Sequence, residues 1–200
     1  MTNDESATGK AKRPTRLTKP RIAPVVKQAW NDAQREILEP FERTKRLHNV
    51  FTTLANHPQL ARDWLTFATY VLRDNLLPVR DREILILRIG CLCHADYELA
   101  QHARIGKRVG LTDDDLRRIA AGPAAPGWSE HERLLLVATD ELHADAFITD
   151  ATWNGLAKTY SQEQMMDLVF TVGEYNLVSM ALNSFGVQLD EGLEPFPHEK

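Results

Sequence analysis

The chain has 200 residues, of which 43% are hydrophobic, and this size and composition are typical of one globular domain with an appended tail. Its formal net charge of −4 excludes a general nucleic-acid-binding protein, because such proteins need a basic surface to contact phosphates. No apolar stretch is long enough to span a bilayer, and two cysteines provide no disulfide framework, so we expect a protein of the reducing cytoplasm.

The charge is unevenly distributed along the chain. Residues 1–30 hold seven basic and two acidic side chains, a charge of +5, so the remaining 170 residues carry −9. We predict that residues 1–27 form a disordered basic tail rather than an arm for nucleic acid or another anionic partner. Residues 28–190 then form the folded domain, and residues 191–200 form a flexible acidic C-terminus.

From about Val25 onward the apolar residues recur with helical spacing, and the alternation typical of strands is nearly absent. This pattern predicts an all-α domain of about eight helices with short connections. The first is an amphipathic helix over residues 30–46 that breaks near Pro40, because proline disrupts a helix interior. A short helix over residues 48–57 follows, and the next begins at Pro58 and runs to about Arg73.

The central part of the chain predicts two consecutive helices. The first begins after Pro78 and is apolar on nearly every face over residues 84–89, so we expect a buried, central element. It ends within residues 91–95, and the second helix runs to Arg108. Side chains suited to N-caps then mark the starts of four further helices, of which the third ends near Tyr160 and the last at about Ser184: Thr112, Ser129, Thr149 and Ser161.

Three polar side chains lie on largely apolar faces of the two central helices: Glu83, Glu98 and His102. Glu98 precedes His102 by four residues, so the two side chains can meet on one helical face. A neighbouring carboxylate orients an imidazole and raises its pKa, which suits proton transfer near neutral pH. The alternative is a hydrogen-bonded buried network without a catalytic role, and periodicity alone favours that alternative.

A metal site was considered because His94, Glu98 and His102 are spaced by four residues. The two histidines lie roughly 12 Å apart along a helix axis, too far to share one ion. At most a pair from this helix together with Glu83 could hold a metal, so we predict none.

Other polar or reactive residues in the chain are better explained by packing or capping. Cys91 and Cys93 would diverge by about 200° on a helix, so they indicate two buried structural thiols rather than a disulfide. Tyr97 and Trp153 could line a pocket. Glu174, Tyr175 and Asn176 interrupt the apolar C-terminal helix.

Residues 82–110 resemble the carboxymuconolactone decarboxylase family, which includes the alkyl hydroperoxidase D proteins. That family has a Glu on one helix, a C-x-x-C-x-x-x-H motif on the next and a Gly eight residues after the His. Glu83, His102 and Gly110 match these positions, whereas Ala95 and Glu98 occupy the two cysteine positions. The resemblance covers about residues 28–190 and implies an all-α, alkyl hydroperoxidase D-like fold that assembles as a homotrimer or homohexamer.

The resemblance also implies a type of chemistry. The hydroperoxidase branch needs both thiols, so peroxidase activity is the disfavoured alternative here. The decarboxylase-like branch implies a lyase or isomerase of aromatic compound catabolism that acts on a small organic acid or lactone without a metal or organic cofactor. His102 would be the acid/base, Glu98 its partner and Glu83 a second relay or orienting group, with Tyr97 and Ala95 as candidate substrate contacts. A non-catalytic oligomeric binding protein is the remaining alternative.

Overall fold

The computed structural model describes residues 16–197, so the predictions for residues 1–15 and 198–200 lie outside the described residues. Over the described range the chain is all-α, as predicted, with nine α-helices, one 3₁₀ turn (Lys27–Ala29) and one π-helical turn (Tyr70–Asp74). None of the helices in this range combines the length and apolarity needed to cross a bilayer. The helices are α1 (Asp32–Arg43), α2 (Asn49–Leu54), α3 (Pro58–Thr69), α4 (Val79–Leu92), α5 (Asp96–Arg108), α6 (Asp113–Ala121), α7 (Glu130–Asp145), α8 (Asp150–Leu156) and α9 (Gln162–Phe185).

Helix α1 continues through Pro40, so the predicted break there is wrong. Proline removes one backbone hydrogen bond, but the helix is secured at its start by a reciprocal capping box between Asn31 and Gln34. Its inner face also buries Ile37 and Leu38 in a small apolar cluster with α2 and α3. These interactions outweigh the one lost bond.

The end of α3 widens into the π-helical turn, and a side chain of α9 holds this turn in place. Asp167 accepts a hydrogen bond from the Tyr70 hydroxyl at 2.6 Å and another from the Leu76 N–H at 2.7 Å. This carboxylate is therefore the tertiary partner that ends α3, and the turn leaves the Tyr70 ring partly exposed.

Helix α4 is the central element of the domain, as predicted. Its residues 84–87 and Ile89 are fully buried, and it packs against α5, α6, α7 and α9. Side chains on all faces of this helix are therefore screened from water, which is why an acid on it, Glu83, must find its partner within the protein.

The predicted helix starts are confirmed at Thr112, Ser129 and Ser161, each of which forms a capping box with the residue three positions later. Helix α8 follows Thr149 as predicted, although the Thr149 side chain makes no cap bond to the α8 backbone. It ends at Leu156, short of the predicted Tyr160, and in the turn that follows the Thr159 and Tyr160 N–H groups both donate to the Leu156 carbonyl.

The described parts of both termini lie against the helices. Arg16 donates to the carbonyls of Cys93 at 2.8 Å and His94 at 3.0 Å, where the end of α4 carries partial negative charge. Near the other end, Phe196 is buried in the main core and Asp190 accepts from the Asn49 N–H at 2.7 Å. The predicted domain boundaries at residues 27 and 190 remain predictions.

Replacing Thr112 by alanine tests the capping box of α6. The substitution removes the acceptor for the Asp115 N–H, so the free energy of unfolding should fall by about 1 kcal/mol. Thr112→Ser keeps the oxygen and should stay close to wild type. Urea denaturation at fixed protein concentration measures both, and equal stability of the two variants would contradict the assignment.

Candidate functional site

The three polar residues of the central helices converge on one imidazole. His102 Nδ1 lies 2.7 Å from Glu83 Oε2, and His102 Nε2 lies 2.9 Å from Glu98 Oε1. All three residues are buried, with 0% of Glu83, 6% of Glu98 and 5% of His102 exposed. Each ring nitrogen therefore has its own carboxylate, one from α4 and one from α5, and we refer to these three residues as the carboxylate–histidine cluster.

Close packing of α4 on α5 brings Glu83 to the imidazole. A Cβ on Gly90 would lie only 3.1 Å from the Leu99 side chain, and one on Gly106 would lie 2.7 Å from Leu111 and 3.5 Å from Leu87. Glycine at position 90 thus permits the short distance between α4 and α5, and glycine at position 106 leaves room for the Leu111 side chain that follows α5. On α5 itself, Glu98 and His102 are one turn apart, which places both on the face directed at α4.

Burial alone would lower the pKa of His102, but the charges of Glu83 and Glu98 and their hydrogen bonds outweigh burial and raise the pKa to about 10. The ring is therefore an imidazolium at neutral pH and donates a hydrogen bond to each carboxylate. Arg82 Nε lies 3.9 Å from Glu83 Oε1 and balances the remaining negative charge. Two carboxylates, one imidazolium and one guanidinium together carry no net charge.

Helix α9 covers the cluster with an aromatic ring and a further acid. Tyr175 packs edge-on against His102, with ring centroids 4.9 Å apart. The neighbouring Glu174 accepts a hydrogen bond from the Trp64 indole N–H at 2.6 Å. Burial, and then the charge of Glu98, raise the pKa of Glu174 against the effect of that hydrogen bond.

The geometry of the cluster does not suit a metal ion. Its carboxylates lie on opposite nitrogens of one ring, so the three side chains cannot direct their ligand atoms at a common point. In the described part of the chain, no group of three or more His, Cys, Asp or Glu side chains is placed to hold a metal ion.

The candidate substrate contacts lie elsewhere. Ala95 is fully buried at the start of α5. The Tyr97 hydroxyl accepts from the Val50 N–H at 3.3 Å and donates to Asp190 at 2.9 Å. Tyr97 lines a cavity of about 180 Å³ together with Arg16, and the cluster residues are not part of its lining. Their assignment to substrate remains a prediction.

The cysteines are half-buried, so the prediction of two buried thiols is wrong in degree. Both lie where α4 ends, at the edge of the core rather than inside it. The Cys93 thiol donates to Asn176 Oδ1 at 3.1 Å, and burial raises its pKa. A raised pKa lowers the thiolate fraction, which is the opposite of what a redox cysteine needs.

Residues of the site that sequence reasoning missed are Arg82 and Trp64, while Glu174 and Tyr175 were noted but interpreted as packing residues. The signal for the last two was their polarity within an otherwise apolar helix. The roles of Arg82 and Trp64 depend on contacts between different helices, which no local spacing reveals.

Residues 58–141, which include α4, α5 and the whole cluster, match the model of the carboxymuconolactone decarboxylase family. This region belongs to that family. Among curated proteins none matches the chain. The family match agrees with the predicted resemblance, and three similar solved structures extend it from these helices to the fold of most of the chain.

The similar structures share the alkyl hydroperoxidase D-like fold. An uncharacterized peroxidase-related protein from Ralstonia eutropha JMP134, with an alkylhydroperoxidase AhpD core, superposes with a TM-score of 0.75 at 19% identity, over 86% of this chain and 93% of that one. A peroxidase-related protein from Silicibacter sp. TM1040 gives 0.69 at 16% identity, over 94% and 97%. The debrominase Bmp8, in complex with 2,3,4-tribromopyrrole, gives 0.71 at 13% identity, over 87% and 94%. At these identities the likeness shows the fold alone.

The charge on His102 predicts how the stability of the protein depends on pH. The folded pKa of about 10 lies above the ordinary value of 6.5, so the stabilising proton is fully present below pH 6.5 and lost as the pH rises towards 10. The free energy of unfolding should therefore decrease over that window, and it should decrease less in His102→Gln, which has no proton to lose. Denaturant titrations at several pH values measure both slopes, and equal slopes would contradict the assignment.

Proposed function

We propose that the protein is a cofactor-independent enzyme of the cytoplasm that moves a proton on a small organic acid or lactone, as a decarboxylating lyase or an isomerase. One observation carries the proposal: a buried imidazole holds a proton between two carboxylates, at 2.7 Å from Glu83 and 2.9 Å from Glu98. Such a group is a general acid at neutral pH once one of its hydrogen bonds opens.

The two carboxylates have different roles in this proposal. Glu83 is completely buried on α4, holds Nδ1–H and fixes the orientation of the ring, while its charge keeps the ring protonated. The Glu98 side chain is slightly exposed and lies in the first turn of α5. A change of its rotamer would free Nε2–H for a substrate carbon without disturbing the bond to Glu83.

The proton inventory of a decarboxylation fits this arrangement. Cleavage of the carbon–carbon bond releases carbon dioxide and leaves its electron pair on the substrate as a dienolate. The Nε2–H of His102 then protonates carbon, and the neutral imidazole regains a proton from water. An isomerisation would use the same group twice, as acid and then as base.

A non-catalytic oligomeric binding protein is the second candidate, and the burial of the cluster favours it. The three side chains bond to one another inside the core, and they do not line either of the two cavities described for residues 16–197. A thiol peroxidase is the third candidate, since the similar structures include peroxidase-related proteins as well as a debrominase. It is less well supported, because Ala95 and Glu98 occupy the thiol positions and burial raises the pKa of Cys93.

A homotrimer or homohexamer is part of the proposal. Helix α9 exposes apolar side chains at positions i, i+4, i+11 and i+14, each about half exposed, and we call these the α9 apolar face: Met166, Phe170, Leu177 and Met180. Phe67 of α3 extends this face, with its ring 6.1 Å from that of Phe170. A contiguous apolar face of this kind on a folded chain is typical of a protein–protein contact, and a second copy of the chain is the proposed occupant.

Replacing His102 by glutamine tests the catalytic assignment. Turnover of a panel of small lactones and organic acids should fall by about 100-fold or more, because glutamine cannot supply the proton. Glu98→Gln should keep the fold and shift the pH dependence of kcat, because it removes one of the charges that raise the pKa of His102. The matched control is a Cys91→Ser, Cys93→Ser double variant, which should retain wild-type turnover.

Full turnover by a folded His102→Gln variant would refute the acid/base role and leave the non-catalytic candidate. Peroxide reduction that is present in the wild type and lost in the double cysteine variant would instead support the thiol peroxidase.

Replacing Phe170 by glutamate tests the oligomer. The substitution places a charge on the α9 apolar face, so the trimer or hexamer expected for the wild type should dissociate into smaller species. Phe147→Glu alters an equally exposed phenylalanine between α7 and α8 and should leave the assembly unchanged. Sedimentation velocity measures all three, and a monomeric wild type would contradict the proposal.

A further inference from the structure

An apolar cavity of about 90 Å³ lies between α2, α3 and α9. It is open on one side. Its lining is apolar apart from Thr53 and the indole N–H of Trp64: Val50, Thr53, Leu54, Leu60, Trp64, Leu177, Val178, Ala181, Leu182, Phe185 and Val187.

Trp64 connects this cavity to the cluster. Its ring forms part of the cavity wall, and its N–H donates to Glu174 on α9 at 2.6 Å. Glu174 is buried, and it is close enough to Glu98 for the charge of Glu98 to raise the pKa of Glu174. A molecule in the cavity is therefore separated from Glu98 and His102 by one indole and one carboxyl group.

The charges around the cavity discriminate between ligands. Three acids lie behind Trp64, namely Glu174, Glu98 and Glu83, and among the described residues no lysine or arginine lines the cavity. The nearby buried cation, Arg82, faces Glu83 and Asn75. A ligand carboxylate would lose its hydration without gaining a cationic partner, so its binding here would be costly.

The size and shape of the cavity limit what can fill it. A closed apolar cavity of about 150 Å³ holds a benzene molecule. This cavity is smaller and open, so it accommodates part of a ring or a short alkyl group while the rest of the molecule extends outward. An amphipathic helix would need a longer groove.

We propose that this cavity binds an uncharged small molecule that has an apolar ring or chain, such as a lactone or an ester. The indole of Trp64 and the carboxyl group of Glu174 stand between such a ligand and His102, so this binding is a function separate from the proposed proton transfer. Glu174 is a positioning residue in this arrangement, because it fixes the indole that forms the inner wall.

The α9 apolar face shares one residue with the cavity, Leu177. A second copy packed on that face would therefore cover one side of the cavity. If the second copy filled the cavity instead, no small molecule could enter, and this outcome is separable by experiment.

The test uses methyl benzoate and sodium benzoate as a neutral and an anionic probe of matched shape. The chain has four tryptophans, so an amide NMR spectrum shows four indole N–H signals, and a Trp64→Phe variant identifies the one from Trp64. Titration of the wild-type protein at pH 7 with methyl benzoate should shift the Trp64 signal saturably. Benzoate should bind at least about 10-fold more weakly.

Two alanine-to-leucine variants locate the binding. Ala181→Leu adds bulk inside the cavity and should weaken methyl benzoate binding by about 10-fold or more, with the other three indole signals unchanged. Ala151→Leu makes the same change on the exposed surface of α8 and should bind as the wild type does.

Three results would overturn the inference: no saturable shift of the Trp64 signal, equal or tighter binding of benzoate, or undiminished binding by a folded Ala181→Leu variant. None of these measurements requires turnover. Methyl benzoate binding together with an active His102→Gln variant would therefore refute the proposed function and leave the cavity assignment intact. If turnover requires His102 but methyl benzoate does not bind, the cavity assignment is refuted and the proposed function stands.

Discussion

The pairing of one buried imidazolium with two carboxylates is the interaction on which the rest of the structure depends. Glu83 lies on a helix that is buried on every side, and an unpaired charge there would cost several kcal/mol. His102 supplies the opposite charge, but only if α5 lies close against α4. The glycine at position 90 allows that approach, so the close packing of the two central helices and the pairing of charges at the site depend on each other.

This arrangement has a direct chemical consequence. An imidazole between two carboxylates keeps its proton well above neutral pH, so the site stores an acid in an environment from which water is largely excluded. The same bonds that hold the proton also prevent its transfer to another molecule, so the proposed catalysis requires a local rearrangement. Glu98 is suited to that step because it lies in the first turn of α5, whereas Glu83 is enclosed by the core.

Much of the fold could be predicted from the sequence because it depends on local rules. Thr112, Ser129 and Ser161 are N-caps whose partners lie three residues on, and the contact between Glu98 and His102 follows from one helical turn. The sequence predictions that failed depend on contacts between residues that are far apart in the chain. Pro40 is tolerated because the other face of its helix is buried, and the π-helical turn after α3 is held by an acid on α9.

For the candidate site, too, some features could be predicted from the sequence and others could not. Glu83, Glu98 and His102 could be named from their helical faces, but their mutual geometry required the packed structure. The bond between Trp64 and Glu174 joins residues 110 positions apart, and no periodicity predicts it. The apolar cavity likewise forms where three helices meet, so the class of ligand proposed for it could be argued only from the structure.

The protonation state of His102 is the most direct test of the imidazolium that we assign to the carboxylate–histidine cluster. Nitrogen-15 NMR of histidine-labelled protein at pH 8, with the His102→Gln variant to identify the signals, reports whether each ring nitrogen carries a proton. We predict that both Nδ1 and Nε2 of His102 are protonated, since each faces a carboxylate and the pKa of the ring is raised to about 10. A neutral ring with one bare nitrogen at that pH would contradict it.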